Sequence, residues 1–298
     1  MAFTRLTVVS DSHLSELTPE ATENWDALIG HVDTVQPDAI VHTGDIARDG
    51  TAGGAELVFA RRALDRMGDT VLALPGNHDL GDNPCETNAG SPHLVTSDRV
   101  AAYRDHVGPD RWSVDVGPWR LVGLNAQLLG SGAETAEDSG LADDIAEQSG
   151  LADDIADQWA WLETELVPER FTDHHPAIFL HKPLWHSDPQ PAEHDEPIRY
   201  VRPDARQRLT ALLERVGAKV VVSGHVHQHR HTQARGMDHV WAPTAWATLP
   251  EAMQATIGER WVGALDLILD DDGSVTVNPV RPAGVHQHII GETIPNPY

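Results

Sequence analysis

Phe3-Thr4-Arg5-Leu6-Thr7-Val8-Val9-Ser10-Asp11-Ser12-His13 begins as a short apolar run and ends in a polar cluster. With a single Arg and no long apolar core, the segment reads as a first strand, Phe3 to Val9, and not as a signal peptide. Working outward, Thr18-Pro19 is a helix-start pair, and Trp25, Leu28, Ile29 and Val32 follow at helical spacing to give one buried stripe. A second strand covers Ala39 to Thr43, a second helix about Glu56 to Met67, and a third strand, Val71 to Leu74, is stopped by Pro75-Gly76. Short apolar runs alternating with helical patterns signal βαβ units and a largely parallel sheet. Polar residues follow the last apolar position of each strand, and open α/β sheets place ligand sites just beyond those carboxyl ends.

Farther along, Trp112 to Val116 and Arg120 to Leu124 form a candidate hairpin through Gly117-Pro118. Ser139 to Gln148 and Ser149 to Gln158 are a tandem repeat. Leu151 and Ile155 of the second copy run in helical phase into Trp159, Leu162 and Leu166. A shift of one copy rotates the stripe by about 80°, so the first copy reads as part of an acidic, exposed insertion near 130–150. The pattern then resumes with a strand at Ala177 to Leu180, a Pro- and charge-rich loop from Ser187 to Arg202, a helix near Asp204 to Val216 and a strand at Ala218 to Ser223. Trp261 to Leu269 and Ser274 to Val280 make a hairpin across Asp271-Asp272-Gly273, and the tail from Pro282 has no periodicity. No linker divides the chain, so residues 1–298 read as a single domain.

Composition narrows the function. No apolar run approaches the roughly 20 residues of a membrane span, so the expected compartment is the cytoplasm, with no membrane partner. The one cysteine, Cys85, excludes an internal disulfide and a Cys-type zinc site. Forty-six acidic against 21 basic residues give a net charge of −25, which argues against a nucleic-acid polymer. A small phosphorylated substrate is compatible with that charge if metal ions concentrate positive charge at one point. A homo-oligomer stays open.

Five motifs stand at strand ends: Asp11-Ser12-His13, Gly44-Asp45, Gly76-Asn77-His78-Asp79, His181, and Gly224-His225-Val226-His227. Each alone is a common turn, but in this order they would converge on one edge of a sheet. The order resembles the calcineurin-like metallophosphoesterases, whose pattern runs D-x-H, GD, GNH(D/E), H, GHxH, and every element is matched between Asp11 and His227. The second motif continues as Gly44-Asp45-Ile46-Ala47, without the GDxxDRG extension of protein phosphatases. The closest pattern is therefore that of the bacterial class III cyclic-nucleotide and glycerophosphodiester phosphodiesterases. The resemblance implies an α/β fold of αββα type, two packed mixed β-sheets flanked by helices. It places Asp11, His13 and His227 on one metal ion, Asn77, His181 and His225 on a second, and Asp45 between both. His78, not a ligand in that pattern, is the candidate to protonate the departing alkoxide or to stabilise charge on phosphorus. With the acidic residue of the phosphatase extension missing, Asp79 is the candidate to orient it.

Mixed imidazole and oxygen ligands without thiolate suit Mn, Fe or Zn. Two such ions about 3.5–4 Å apart lower the pKa of a shared water for in-line attack on phosphorus. In an extended His225-Val226-His227 both rings would point to one side, and Gly76 and Gly224 would supply backbone freedom at strand exits. No GxSxG elbow, P-loop or HExxH competes. The expected activity is hydrolysis of a small phosphodiester, with a phosphomonoesterase or nucleotidase, and then a non-catalytic module, as alternatives. Arg48, His186 and Lys182 are candidate phosphate contacts or ordinary loop residues. His42 reads as core, and His229 and His231 would face the site only if the chain stayed extended after His227. Trp25, Trp159 and Trp261 sit at packing positions.

Overall fold

β1 (Phe3–Val9) pairs in parallel with β2 (Ala39–His42), and β2 in parallel with β3 (Val71–Ala73). The helices α1 (Pro19–Val35) and α2 (Gly54–Asp65) make the crossovers between these strands. The computed structural model describes residues 3–68, 71–84, 88, 91–130, 150–186 and 198–296. The short helix α3 (Asn77–Leu80) follows β3, and α4 (Ser97–His106) comes next. β4 (Trp112–Val116) and β5 (Trp119–Gly123) form the expected antiparallel hairpin. Then follow α5 (Ala152–Glu165), β6 (His175–Phe179), α6 (Pro203–Val216) and β7 (Val220–Ser223).

The remaining strands include two hairpins, β8 (Arg230–Ala234) with β9 (Met237–Trp241), and β11 (Ala264–Asp270) with β12 (Val275–Val280). A separate parallel pair joins β10 (Ala247–Thr248) to β13 (His288–Ile289). The large sheets have the orders β12-β11-β1-β2-β3 and β4-β5-β6-β7-β9-β8. Both mix parallel and antiparallel neighbours.

Leu6, Val8 and Val41 of the first sheet pack against Leu121, Phe179 and Val222 of the second, so a dry layer lies between them. The opposite faces carry Val9, Ile40, Ile178 and Val221 into a cluster with Trp25 and Leu28 of α1, Leu57 of α2, Leu162 of α5 and Leu209 of α6. This is the αββα sandwich expected from the motif order. At the end of the sandwich where β1 begins, the Thr4 hydroxyl donates to the Val116 carbonyl at 3.4 Å. There too the Trp119 indole N–H donates to the Asp270 carbonyl at 3.1 Å.

Leu151, Ile155, Trp159, Leu162 and Leu166 are all buried, so the second repeat copy enters α5 as its phase requires. The first copy, Ser139–Gln148, lies outside the described residues, as do most of the acidic insertion and Cys85. The β8–β9 hairpin has no counterpart in the sequence reading. β8 is a polar edge strand, Arg-His-Thr-Gln-Ala, and without a buried face it carries no apolar alternation to detect.

Candidate metal centre

All five motifs arrive at the same edge of the sandwich. Asp11 and His13 follow β1, Asp45 follows β2, Asn77 and His78 follow β3, His181 follows β6, and His225 and His227 follow β7. Five of these positions come from the first sheet and three, all histidines, from the second, so the site spans the layer between them. The backbone there is unusual. Asp11, His13, Asp45, His225 and His227 all have positive φ, between 43° and 70°. A left-handed non-glycine residue costs roughly 1–2 kcal/mol, so the surrounding packing holds five such costs in one place. His225-Val226-His227 is therefore not extended, as its alternation suggested. Two left-handed turns send the rings to different neighbours, His227 to Asp11 and His13, and His225 to His181 and Asp45.

His13 Nε2 lies 3.2 Å from His227 Nε2, which in turn lies 3.4 Å from Asp11 Oδ1. On the other side His181 Nε2 lies 3.1 Å from His225 Nδ1, 3.2 Å from Asn77 Oδ1 and 3.3 Å from Asp45 Oδ2. The same Asp45 oxygen lies 3.8 Å from His13 Nε2. Asp45 thus faces both groups with a single oxygen, while its Oδ1 accepts the His78 backbone N–H at 2.8 Å.

Backbone carbonyls fix the outward nitrogens. His181 Nδ1 pairs with the Thr43 carbonyl at 2.9 Å, His227 Nδ1 with Ala247 at 2.6 Å and His225 Nε2 with Ile198 at 2.9 Å. Each of those nitrogens must donate, so the inward nitrogens present lone pairs. The lone pairs of His181 Nε2 and His225 Nδ1, facing each other across 3.1 Å beside the buried Asp45 carboxylate, fit a cation and repel without one. In the metal-free chain a proton substitutes. Burial lowers the His181 pKa, but Asp45 outweighs it and lifts the imidazole to about 9. Burial raises the Asp45 pKa, and His181, His78 and His13 outweigh that and hold the carboxyl well below its usual range. Burial and the neighbouring imidazoles depress His13 and His225.

Three glycines sit against these groups for space. A Cβ on Gly76 would lie 2.1 Å from Asp45 Oδ1, one on Gly224 1.8 Å from Ser10 Oγ, and one on Gly44 2.6 Å from His181 Nδ1. Only Gly44 also has a positive φ, 106°. Close approach, and not backbone freedom, is what Gly76 and Gly224 provide.

His78 lines the cleft, with its ring 4.6 Å from that of His13. Its Nδ1 pairs with the Arg48 carbonyl at 2.9 Å, so a backbone group of Arg48 orients it. Asp79 does not have the orienting role expected of it. Its carboxylate accepts the backbone N–H groups of Gly76, Ile46 and Ala47 and ties the β2 and β3 loops together. Burial, then the Asp45 charge, pushes that carboxyl up to about 7. His186 lies away from the cleft, with its carbonyl accepting from Arg230 and its ring against Tyr200. Lys182 is buried and donates to Asn83 Oδ1 at 2.6 Å. His42 is core, paired with the Ser12 hydroxyl, and burial lowers its pKa to about 3. His229 bonds the Trp241 carbonyl, and exposed His231 pairs with Asp238.

Sequence patterning does not single out Trp246, whose ring is tilted at 44° to that of His13 with centroids 4.9 Å apart and whose indole N–H donates to Glu20. Nor does it mark the Thr244 hydroxyl, which donates to the Asp11 carbonyl at 2.9 Å and accepts from Trp246 N–H. A cleft of about 250 Å³ opens over the site, lined by Asp45, Asn77, His78, His225 and His227, with Asp82, Ile198, Arg199, Leu249, Gln254 and Ile290 around them.

A dimetal phosphatase from Danio rerio shares the fold at a TM-score of 0.60 and 14% identity, over 93% of this chain and 95% of that one. A purple acid phosphatase from yellow lupin (Lupinus luteus) matches at 0.60 and 14%, over 96% of this chain, which spans 53% of the lupin protein. No curated protein sequence matches the chain. The profile of calcineurin-like phosphoesterases covers residues 4–229. That span begins in β1 and ends just past His227, so it takes in every strand end that feeds the site. A phosphoester hydrolase with a metal site is what those strand ends build, and the chain belongs to the calcineurin-like phosphoesterase family.

Proposed function

We propose that the protein hydrolyses a small phosphodiester, of cyclic-nucleotide or glycerophosphodiester type, by in-line displacement at phosphorus. Asp11, His13 and His227 would hold one cation, Asn77, His181 and His225 a second, and Asp45 Oδ2 both, with Mn, Fe or Zn suiting this donor set. Such cations, when bound, activate water and neutralise charge on the phosphoryl group. The chain's own residues do the rest. The Arg48 carbonyl holds His78 Nδ1–H, which leaves Nε2 as the nitrogen that donates a proton to the departing alkoxide. The His78 backbone N–H holds Asp45 Oδ1 and so keeps Oδ2 turned to both ligand groups.

The observation that carries the diester reading is the charge of the cleft. Among the described lining residues Arg199 is the only Arg or Lys, its guanidinium donates to the Met253 carbonyl at 3.2 Å, and Asp82 adds an acid. A diester is a monoanion, and cations at the metal centre balance it. A monoester dianion calls for a second positive contact. The net charge of −25 favours a small substrate over a nucleic-acid polymer. No helix among the described residues is long and apolar enough to cross a membrane, and we place the activity in the cytoplasm.

The test is hydrolysis of bis(p-nitrophenyl) phosphate and p-nitrophenyl phosphate after reconstitution with Mn. The expected result is a higher kcat/KM for the diester. A preference for the monoester overturns the diester reading, and turnover of neither overturns the catalytic one.

A further inference from the structure

Phosphoryl transfer is served by polar groups, yet three apolar side chains, Ile198, Leu249 and Ile290, stand in the lining of this cleft. Two are anchored to backbone that also fixes a metal-ligand imidazole. The Ile198 carbonyl accepts from His225 Nε2 at 2.9 Å. Leu249 comes two residues after Ala247, whose carbonyl accepts from His227 Nδ1 at 2.6 Å. β13 pins this stretch through its pairing with β10, and fully buried Ile290, Trp246 and Ala21 pack behind Leu249. Leu249 and Ile198 are themselves only partly buried. Both are thus held in fixed register with the metal centre while keeping surface open to the cleft. Leu249 and Ile290 also lie beyond residues 4–229, in a segment outside the family profile.

We infer that Leu249 and Ile198, backed by Ile290, form a specificity wall that selects diesters whose non-leaving ester group presents an aromatic or branched apolar surface. The inference rests on the diesterase reading and deepens it. A sugar carrying a flat base satisfies such a wall, and a bare polyol leaves it in water. Apolar burial is non-directional and scales with the area covered, so the wall discriminates by the size of the apolar group and leaves the bond-breaking step alone.

Phenyl p-nitrophenyl phosphate and methyl p-nitrophenyl phosphate test this, because they share a leaving group and differ only in the group that stays. The reconstituted wild type should favour the phenyl ester by about tenfold in kcat/KM, expressed mainly in KM. In Leu249→Ala and Ile198→Ala the phenyl ester should lose most of that advantage and the methyl ester no more than about twofold. Leu249→Met should retain the preference. Metal content and Tm of each variant show that the wall, and not the fold, was altered. Equal turnover of the two esters by the wild type, or an unchanged ratio in Leu249→Ala with metal bound, would overturn the inference while leaving the diesterase reading intact. Hydrolysis of p-nitrophenyl phosphate with neither diester turned over would sink both.

Discussion

The role proposed for His78 falls to one ring nitrogen, because the other is engaged by the Arg48 carbonyl. If that nitrogen protonates the alkoxide, removing it costs most when the alkoxide is basic. His78→Ala should lower kcat for a nucleoside or glycerol ester by roughly 10²- to 10⁴-fold and for p-nitrophenyl esters by clearly less, with metal content unchanged. Kinetics with both leaving groups check this, and a uniform loss would point to phosphate positioning instead. His181 sets a second expectation. Its pKa rises from 6.5 to about 9 in the metal-free chain, because Asp45 outweighs burial. The proton's contribution to the metal-free fold is therefore complete below 6.5 and lost as pH climbs through about 9. A cation must displace that proton, so apparent Mn affinity should rise by about tenfold per pH unit between 7 and 9, a slope that titration calorimetry at several pH values measures. A flat profile would contradict the proton count. The residues that would face the proposed cations were legible because each follows a strand within a short motif. The carbonyls of Thr43, Ala247 and Ile198 were not, since any residue type supplies the same carbonyl and only the fold decides which one arrives. Asp79 misled for a related reason. Adjacency to His78 in sequence says nothing about direction, and its carboxylate points back into the β2 and β3 loops.

Strand-to-loop junctions carry the site, and their tolerance to change follows from geometry. Gly76→Ala would place a methyl 2.1 Å from Asp45 Oδ1 and 2.4 Å from its backbone nitrogen, neither of which can yield without moving β2. We expect a loss of about 3 kcal/mol or more in stability, with weakening of both ions together because Asp45 serves both. Gly30, exposed within α1 with nothing near its Cβ position, is the control. Gly30→Ala should stabilise by about 0.5–1 kcal/mol, and chemical denaturation of the two variants measures both effects. Equal behaviour would show that close approach is not what Gly76 provides. Elements with a buried face, β1, β2, α1, α5 and α6, were readable from spacing, because burial imposes the period. Edge strand β8 and the two-residue β10 and β13 were not, for their residues answer to hydrogen bonds and to the site rather than to a core. The C-terminal tail therefore looked featureless, although it returns to the cleft at Ile290.

Over the whole molecule, the sandwich was legible from motif order, but the sheet order was not, since strands separated widely in sequence, such as β1 and β11, pair side by side. Each proposed ion joins the two sheets: Asp11 and His13 face His227, and Asp45 and Asn77 face His181 and His225. Two ions per chain should bind at saturation, and stripping them should lower Tm, because a cation that binds only the folded chain adds about 2.7 kcal/mol at a concentration 100-fold above its Kd. Metal analysis with calorimetry before and after chelation checks both, and one ion per chain would count against the shared Asp45 oxygen. At the far end of the sandwich, Thr4 with Val116 and Trp119 with Asp270 link the sheets by single hydrogen bonds. The molecule is then built like a pair of leaves bonded over their facing surfaces by the dry layer, with the proposed cations as an added clasp along one margin. Pulled apart by force from that margin, it should yield at a higher load with the proposed cations bound than without them, so the proposed metal centre would add a mechanical fastening to the dry layer between the sheets.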